Sequence, residues 1–211
     1  MFSGNKKAGF TLIEMVVVLA IFGIITAILV PNIPQLRDKT SVDLVAQSVA
    51  LHIRGAQVYG IGTRVDSGVS GGVNFRYGIH FAADRPNSSF LLFASNTSDP
   101  YTGTAGNCEI SDGCIESYSL RKVEIVDICY YDDSDDDSGS STCQPIGDSE
   151  AVDVTYLRPS SEASFCIHSG GSCQSNVSRI SVTLQSSVRV EEEKVITIWK
   201  NGQISVENEV Q

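Results

Sequence analysis

One run of residues constrains this chain more than any other: the 21 positions from Phe10 to Val30, apolar almost without a break from Met15 onward, with one carboxylate, Glu14, near the start. As an α-helix it is about 31 Å long, enough to cross the hydrocarbon core of a bilayer. Met1 to Gly9 is short, polar and basic, so Lys6 and Lys7 are expected to stay cytoplasmic and everything after Pro31 to lie outside. The run ends in Val30-Pro31-Asn32-Ile33-Pro34, without the small residues that a secretory cleavage site places after an apolar core. A plain signal-anchor also has basic residues before a spanning helix, and Glu14 separates the two readings. A carboxylate costs on the order of 2.5–3.5 kcal/mol at the centre of a span, which calls for a functional reason.

Cutting the chain between Gly9 and Phe10 would supply that reason. A new amino group would appear one helical turn before Glu14, on the same face. In a bundle of identical helices the ammonium of one subunit would neutralise the Glu14 of its neighbour and set the axial register. The segment Gly9-Phe10-Thr11-Leu12-Ile13-Glu14, followed by Met15-Val16-Val17-Val18-Leu19-Ala20, resembles the class III signal of type IV prepilins and type II secretion pseudopilins. The resemblance implies cleavage after Gly9 by a prepilin peptidase, N-methylation of Phe10, and a Glu14 that helps each subunit enter a filament. It places Pro31 where many pilins carry a helix-bending proline. Implied partners are other pilin or pseudopilin subunits, the peptidase, and the inner membrane before assembly.

Pro31 and Pro34 each remove a backbone donor, so the helix is expected to kink or unwind between Val30 and Gln35. Beyond them Val42, Val45, Ala46, Val49, Ile53 and Ala56 recur at steps of three and four among polar residues, predicting an amphipathic helix from Leu36 to Tyr59 stopped by Gly60 and Gly62. Leu44, Leu51 and Val58 form a further apolar line, assigned to the core of the head rather than to subunit contact. His52 reads as a packing or surface residue.

The pattern then changes to strands: Tyr77–Ala83, Ser89–Ser95, Ser117–Tyr131, Val152–Leu157, Ala163–His168, Arg179–Gln185 and Val188–Glu191. A last hairpin joins Val195–Lys200 to Gln203–Val206 across Asn201-Gly202, a pair suited to a type I′ turn. The fold class is therefore α+β: a leader (1–9), a transmembrane or filament-core helix (10–30), its amphipathic continuation (31–60), and a mainly antiparallel β-rich head (61–211). This order, with Leu44–Tyr59 and the ending Ile196–Val206, is similar to the H-type pseudopilin and FimT-like minor pilin group.

Composition limits the functions left to the head. Two of the 15 basic residues, Lys6 and Lys7, precede the run, leaving 13 against 25 acidic ones. Such a field repels nucleic-acid backbones and anionic headgroups, so nucleic acid is an unexpected partner despite Arg179, Arg189, Lys194 and Lys200 near the C-terminus. The six cysteines allow 15 pairings. The simplest joins sequence neighbours, Cys108 with Cys114, Cys129 with Cys143 and Cys166 with Cys173, as exported chains favour. No C-x-x-C pair points to zinc.

The acidic stretch 132–139, with Asp133, Asp135 and Asp137, offers oxygen ligands to Ca²⁺ but departs from the EF-hand spacing. It reads as a solvated loop, so no metal or cofactor is assigned. Gly68-Val69-Ser70-Gly71-Gly72 matches the hydrolase elbow pattern, with Asp112 and His168 following in order, but no strand–turn–helix context surrounds it. His80 and His168 show no catalytic companion, and no enzyme is expected. The leading expectation is a structural subunit of a pilus or pseudopilus, with the head ending in an extracellular or periplasmic filament. The alternative is a minor pilin that binds a surface, DNA or a substrate at the filament tip.

Overall fold

The computed structural model describes residues 9–30, 33–62, 76–82, 87–95, 101, 108, 113–132, 143–147, 150–169, 172–188 and 192–208, with only the backbone of 33–38. Pro31, the glycine loop 68–72, Asp112, and the acidic residues Asp133, Asp135 and Asp137 lie outside the described residues. The chain divides into two compact units, Met1–Arg37 and Asp38–Gln211.

The first unit holds α1, Leu12–Leu29. No residue of it is buried, and it is apolar all round rather than amphipathic. Its mean hydropathy of 2.8 over 18 residues makes it long and apolar enough to cross a membrane. The hydroxyl of Thr26 donates to the carbonyl of Phe22 at 2.7 Å, so the side chain's proton is satisfied inside the helix.

The second helix, α2, spans Ile33–Ile61. The kink expected between Val30 and Gln35 centres on Pro31 and Asn32, which lie outside the described residues. Pro34 sits in the first turn of α2, where the missing N–H has no helical partner to lose. From Val42 onward α2 turns one face inward: Val42, Ala46, Val49, Ala50, Ile53 and Ala56 are buried. The helix runs through Gly60 and ends at Ile61, directly before Gly62, the second of the two glycines expected to stop it. A Cβ at Gly60 would lie 2.6 Å from the carbonyl oxygen of Tyr156, so this glycine serves the close approach of helix to strand.

Leu44, Leu51 and Val58 correct the core assignment. They are 63%, 62% and 65% exposed, on the side of α2 opposite the buried face. Seven-residue spacing gives a stripe on a helix without saying which stripe the sheets cover.

Eleven strands follow α2 among the described residues, in two antiparallel sheets. The first contains β1 (Arg76–Phe81), β2 (Ser89–Ser95), β3 (Cys114–Ser119), β6 (Val152–Leu157), β7 (Ala163–Ser169) and β8 (Ser172–Gln174), in the order β3-β2-β1-β6-β7-β8. The second contains β4 (Val123–Asp132), β5 (Gln144–Pro145), β9 (Val177–Ser186), β10 (Glu193–Trp199) and β11 (Ile204–Asn208), in the order β11-β10-β9-β4-β5. The buried face of α2 shares one core with both. Ile79, Phe81, Phe90, Val154, Tyr156 and Phe165 come from the first sheet, and Ile128, Ile180, Val182, Leu184, Ile196 and Ile198 from the second.

The single strand expected over Ser117–Tyr131 is two strands in different sheets. Lys122, in the left-handed region at φ 62°, turns the chain from β3 into β4. Composition conceals the turn because both flanks are β-rich. A pair of backbone hydrogen bonds between Asn87 and Ile125, at 3.0 and 2.6 Å, links the segment before β2 to β4. Val188, the first residue of the strand expected over 188–191, is exposed in a bend after β9, and 189–191 lie outside the described residues.

The last hairpin has a three-residue loop instead of a two-residue type I′ turn. The N–H of Gly202 donates to the carbonyl of Trp199 and the N–H of Trp199 to that of Gln203, both at 2.9 Å. Only Gly202 takes positive φ, 85°; Asn201 instead accepts the N–H of Gln203 with its side chain. Gln57 of α2 fastens this loop by donating to the carbonyls of Ser161 at 3.0 Å and Gly202 at 3.2 Å. Lys194 pairs with Asp43 at 2.8 Å.

Candidate functional site

Two places carry chemistry, one in each unit. At the amino terminus Thr11 is the N-cap of α1. Its backbone is extended, φ −82° and ψ 152°, and its hydroxyl accepts the N–H of Glu14 at 3.3 Å. The Thr11-Leu12-Ile13-Glu14 spacing is that of a capping box, with the acid in the first turn where the helix dipole favours it. Gly9 and Phe10 precede the cap and are non-helical and exposed, Phe10 to 78%. The bond between them lies in irregular backbone. Phe10 and Glu14 do not share a helical face here, because the helix begins only after the Thr11 cap.

In the second unit the outer face of the first sheet, turned away from α2, gathers a buried polar cluster. Register sets His80 on β1 opposite Asp153 on β6, and Asp153 opposite Cys166 on β7, two residues before His168. Alternation of side chains then sends His80, Asp153 and His168 to the same face. His80 Nδ1 is 2.7 Å from Asp153 Oδ1, and His168 Nε2 is 2.8 Å from Oδ2. The backbone N–H of Tyr101 also donates to Oδ2 at 2.7 Å. The Tyr101 ring covers the cluster, 5.0 Å from the His80 ring and 4.8 Å from that of Phe93.

Asp153 is 2% exposed. Burial opposes its ionised form, yet the hydrogen bonds and charge of His168 and His80 prevail and hold the carboxyl below the ordinary carboxylate range. A cleft of about 340 Å³ opens beside it, lined among others by Arg76, Asp153, Thr155 and Cys166. Sequence reasoning found no companion for either histidine. The available signal was Asp153 itself, a lone carboxylate inside the strand Val152–Leu157. The third histidine, His52 on α2, stacks on Tyr118 at 3.9 Å between ring centres and lies 5.7 Å from Phe90. Its imidazole is held below its usual range by burial, partly offset by Glu116.

Cys108–Cys114, Cys129–Cys143 and Cys166–Cys173 are joined as disulfides, with Cα separations of 5.2, 5.4 and 5.1 Å. They close the approach to β3, tie β4 to the strand β5 region, and clasp the β7–β8 hairpin.

No curated protein and no solved structure gives a significant match to the chain. A family model does match, over residues 4–30, and its description is the prokaryotic N-terminal methylation motif. That segment contains Gly9, Phe10 and Glu14 and all of α1. With its exposed apolar helix and the α+β unit that follows, this match supports a type IV pilin-like prepilin.

Proposed function

We propose that the chain is a structural subunit of a type IV pilus or type II secretion pseudopilus, assembled through α1. Prepilin peptidase cuts after Gly9, Phe10 is N-methylated, and the mature protein waits in the inner membrane with its head outside. Extraction into a filament then packs α1 among its copies. The observation that carries this reading is an apolar helix exposed on every side and led by a single carboxylate, lying within the residues 4–30 that match the methylation motif. Among the described residues such a helix buries no side chain, and lipid or neighbouring helices supply the cover that its apolar surface requires. Glu14 is then neutralised by the Phe10 amine of an adjacent subunit, a pairing that favours one axial stagger over others.

The role is one of assembly rather than catalysis. Mass spectrometry of the chain from isolated filaments tests it. The expected species begins at Phe10 and carries one extra methyl group, and an intact Met1 in assembled material contradicts it. Glu14→Ala is expected to leave processing intact while the subunit fails to enter filaments.

A further inference from the structure

We propose that His80, Asp153 and His168 form a binding site for a divalent transition metal of the zinc class, on the outer face of the first sheet. The inference is independent of the assembly reading. Two of the chain's three histidines meet one buried carboxylate there, and one ligand atom from each of the three residues lies within 4.8 Å of the others. Anchoring Tyr101 would need only a single acceptor. Two imidazoles arriving from the strands on either side exceed that need and make up a nitrogen, nitrogen, oxygen donor set.

The donor chemistry selects the ion. Imidazole nitrogen with one carboxylate suits zinc and its neighbours, whereas calcium and magnesium prefer oxygen alone. The six cysteines cannot compete, because all of them are held in disulfides. Metal–ligand bonds of about 2.0–2.1 Å in a tetrahedron put ligand atoms about 3.3 Å apart. His80 Nδ1 lies 2.7 Å from Oδ1 and His168 Nε2 2.8 Å from Oδ2, with one donor atom of each residue within 4.8 Å of the others, so the three donors already converge and the rings and carboxylate have to adjust around a shared ion. In the metal-bound form each ring moves its proton to the far nitrogen and turns the freed lone pair inward, while the carboxylate remains ionised. The Tyr101 N–H on Oδ2 holds the carboxylate in orientation, as outer hydrogen bonds do around metal ligands. Asp153 also borders the cleft, which brings solvent to the carboxylate side of the cluster.

The test uses the full-length chain in detergent, stripped with chelator and kept non-reducing, with Zn²⁺ or Co²⁺ as the probe. Calorimetry is expected to give one Zn²⁺ per chain, and Co²⁺ the visible absorption of a four-coordinate nitrogen and oxygen site. His168→Gln keeps an N–H donor for Asp153 but loses the ring, and is expected to weaken binding on the order of a hundredfold or more. His52→Gln is expected to leave binding unchanged. X-ray absorption on the zinc-loaded wild type is expected to show two imidazoles, and decides the matter even where a variant fails to fold. Uptake below one tenth of an equivalent, an all-oxygen shell, or equal affinity in a folded His168→Gln chain would overturn the site.

Discussion

Gly60 offers a test in which two physical effects have opposite signs. Alanine normally stabilises a helix interior by up to about 1 kcal/mol over glycine. At Gly60, however, a Cβ would sit 2.6 Å from the carbonyl oxygen of Tyr156 and 2.7 Å from its Cβ. Relaxed contacts lie near 3.5 Å, so helix and strand would have to part by most of an ångström. Tyr156 is a poor candidate to yield: β6 is hydrogen-bonded to β1 on one side and β7 on the other, and the tyrosine is fully buried. Overpacking of this kind costs about 1–3 kcal/mol, leaving a net loss of about 1 kcal/mol for Gly60→Ala. In a domain of this size that lowers Tm by roughly 2–4 °C.

Gly55, on the same helix, has nothing within 4 Å of its virtual Cβ, so Gly55→Ala is expected to gain about 0.5–1 kcal/mol. Urea unfolding of the full-length chain in detergent, with disulfides intact, measures both. The sole tryptophan, Trp199 in β10, reports the transition. If Gly60→Ala proved as stabilising as Gly55→Ala, the close seating of α2 on β6 would be refuted.

The exposed line on α2 predicts that Leu51→Lys changes head stability by less than about 0.5 kcal/mol, whereas Ile53→Ala, from the fully buried face, costs about 2–5 kcal/mol in the same urea assay. Replacing Cys129 and Cys143 together by serine opens a loop with a sequence separation of 14 and is expected to cost about 3 kcal/mol in reversible thermal melts. The folded Asp153 carboxyl lies below its unfolded value of about 3.9, so its contribution is complete above that value and is lost as pH falls through the folded one. With chelator present, Asp153→Asn is therefore expected to be less stable than wild type at neutral pH, and the gap should narrow as pH falls below the unfolded value of about 3.9. Urea midpoints that stay equally far apart across this range would show that the carboxylate is not the source.

The separation of an apolar helix from an amphipathic one, and of both from a strand-rich remainder, was legible because hydrophobic periodicity is a local property. The inward face of α2 was legible for the same reason: Val42, Ala46, Val49, Ile53 and Ala56 repeat at helical steps. What failed was anything requiring knowledge of the other side of a contact. Leu44, Leu51 and Val58 have a good stripe but no sheet above them. Gly60 looked like a stop signal because its reason, the backbone of Tyr156, lies 96 positions later in the chain.

The amino-terminal run, by itself, determined the most consequential property of the molecule, since length, hydropathy and one early carboxylate need no partner to be read. The strand-rich character of the head was equally a matter of residue type. Only the tertiary structure decided how the strands divide between two sheets, where β3 gives way to β4, and that His80, Asp153 and His168 meet. The meeting of His80 with Asp153 depends on pairing register between strands 73 positions apart, and that of Asp153 with His168 on the register of the neighbouring β6–β7 pair. A shift of one residue would turn Asp153 from the outer face into the core, and no local pattern in the sequence records which register wins.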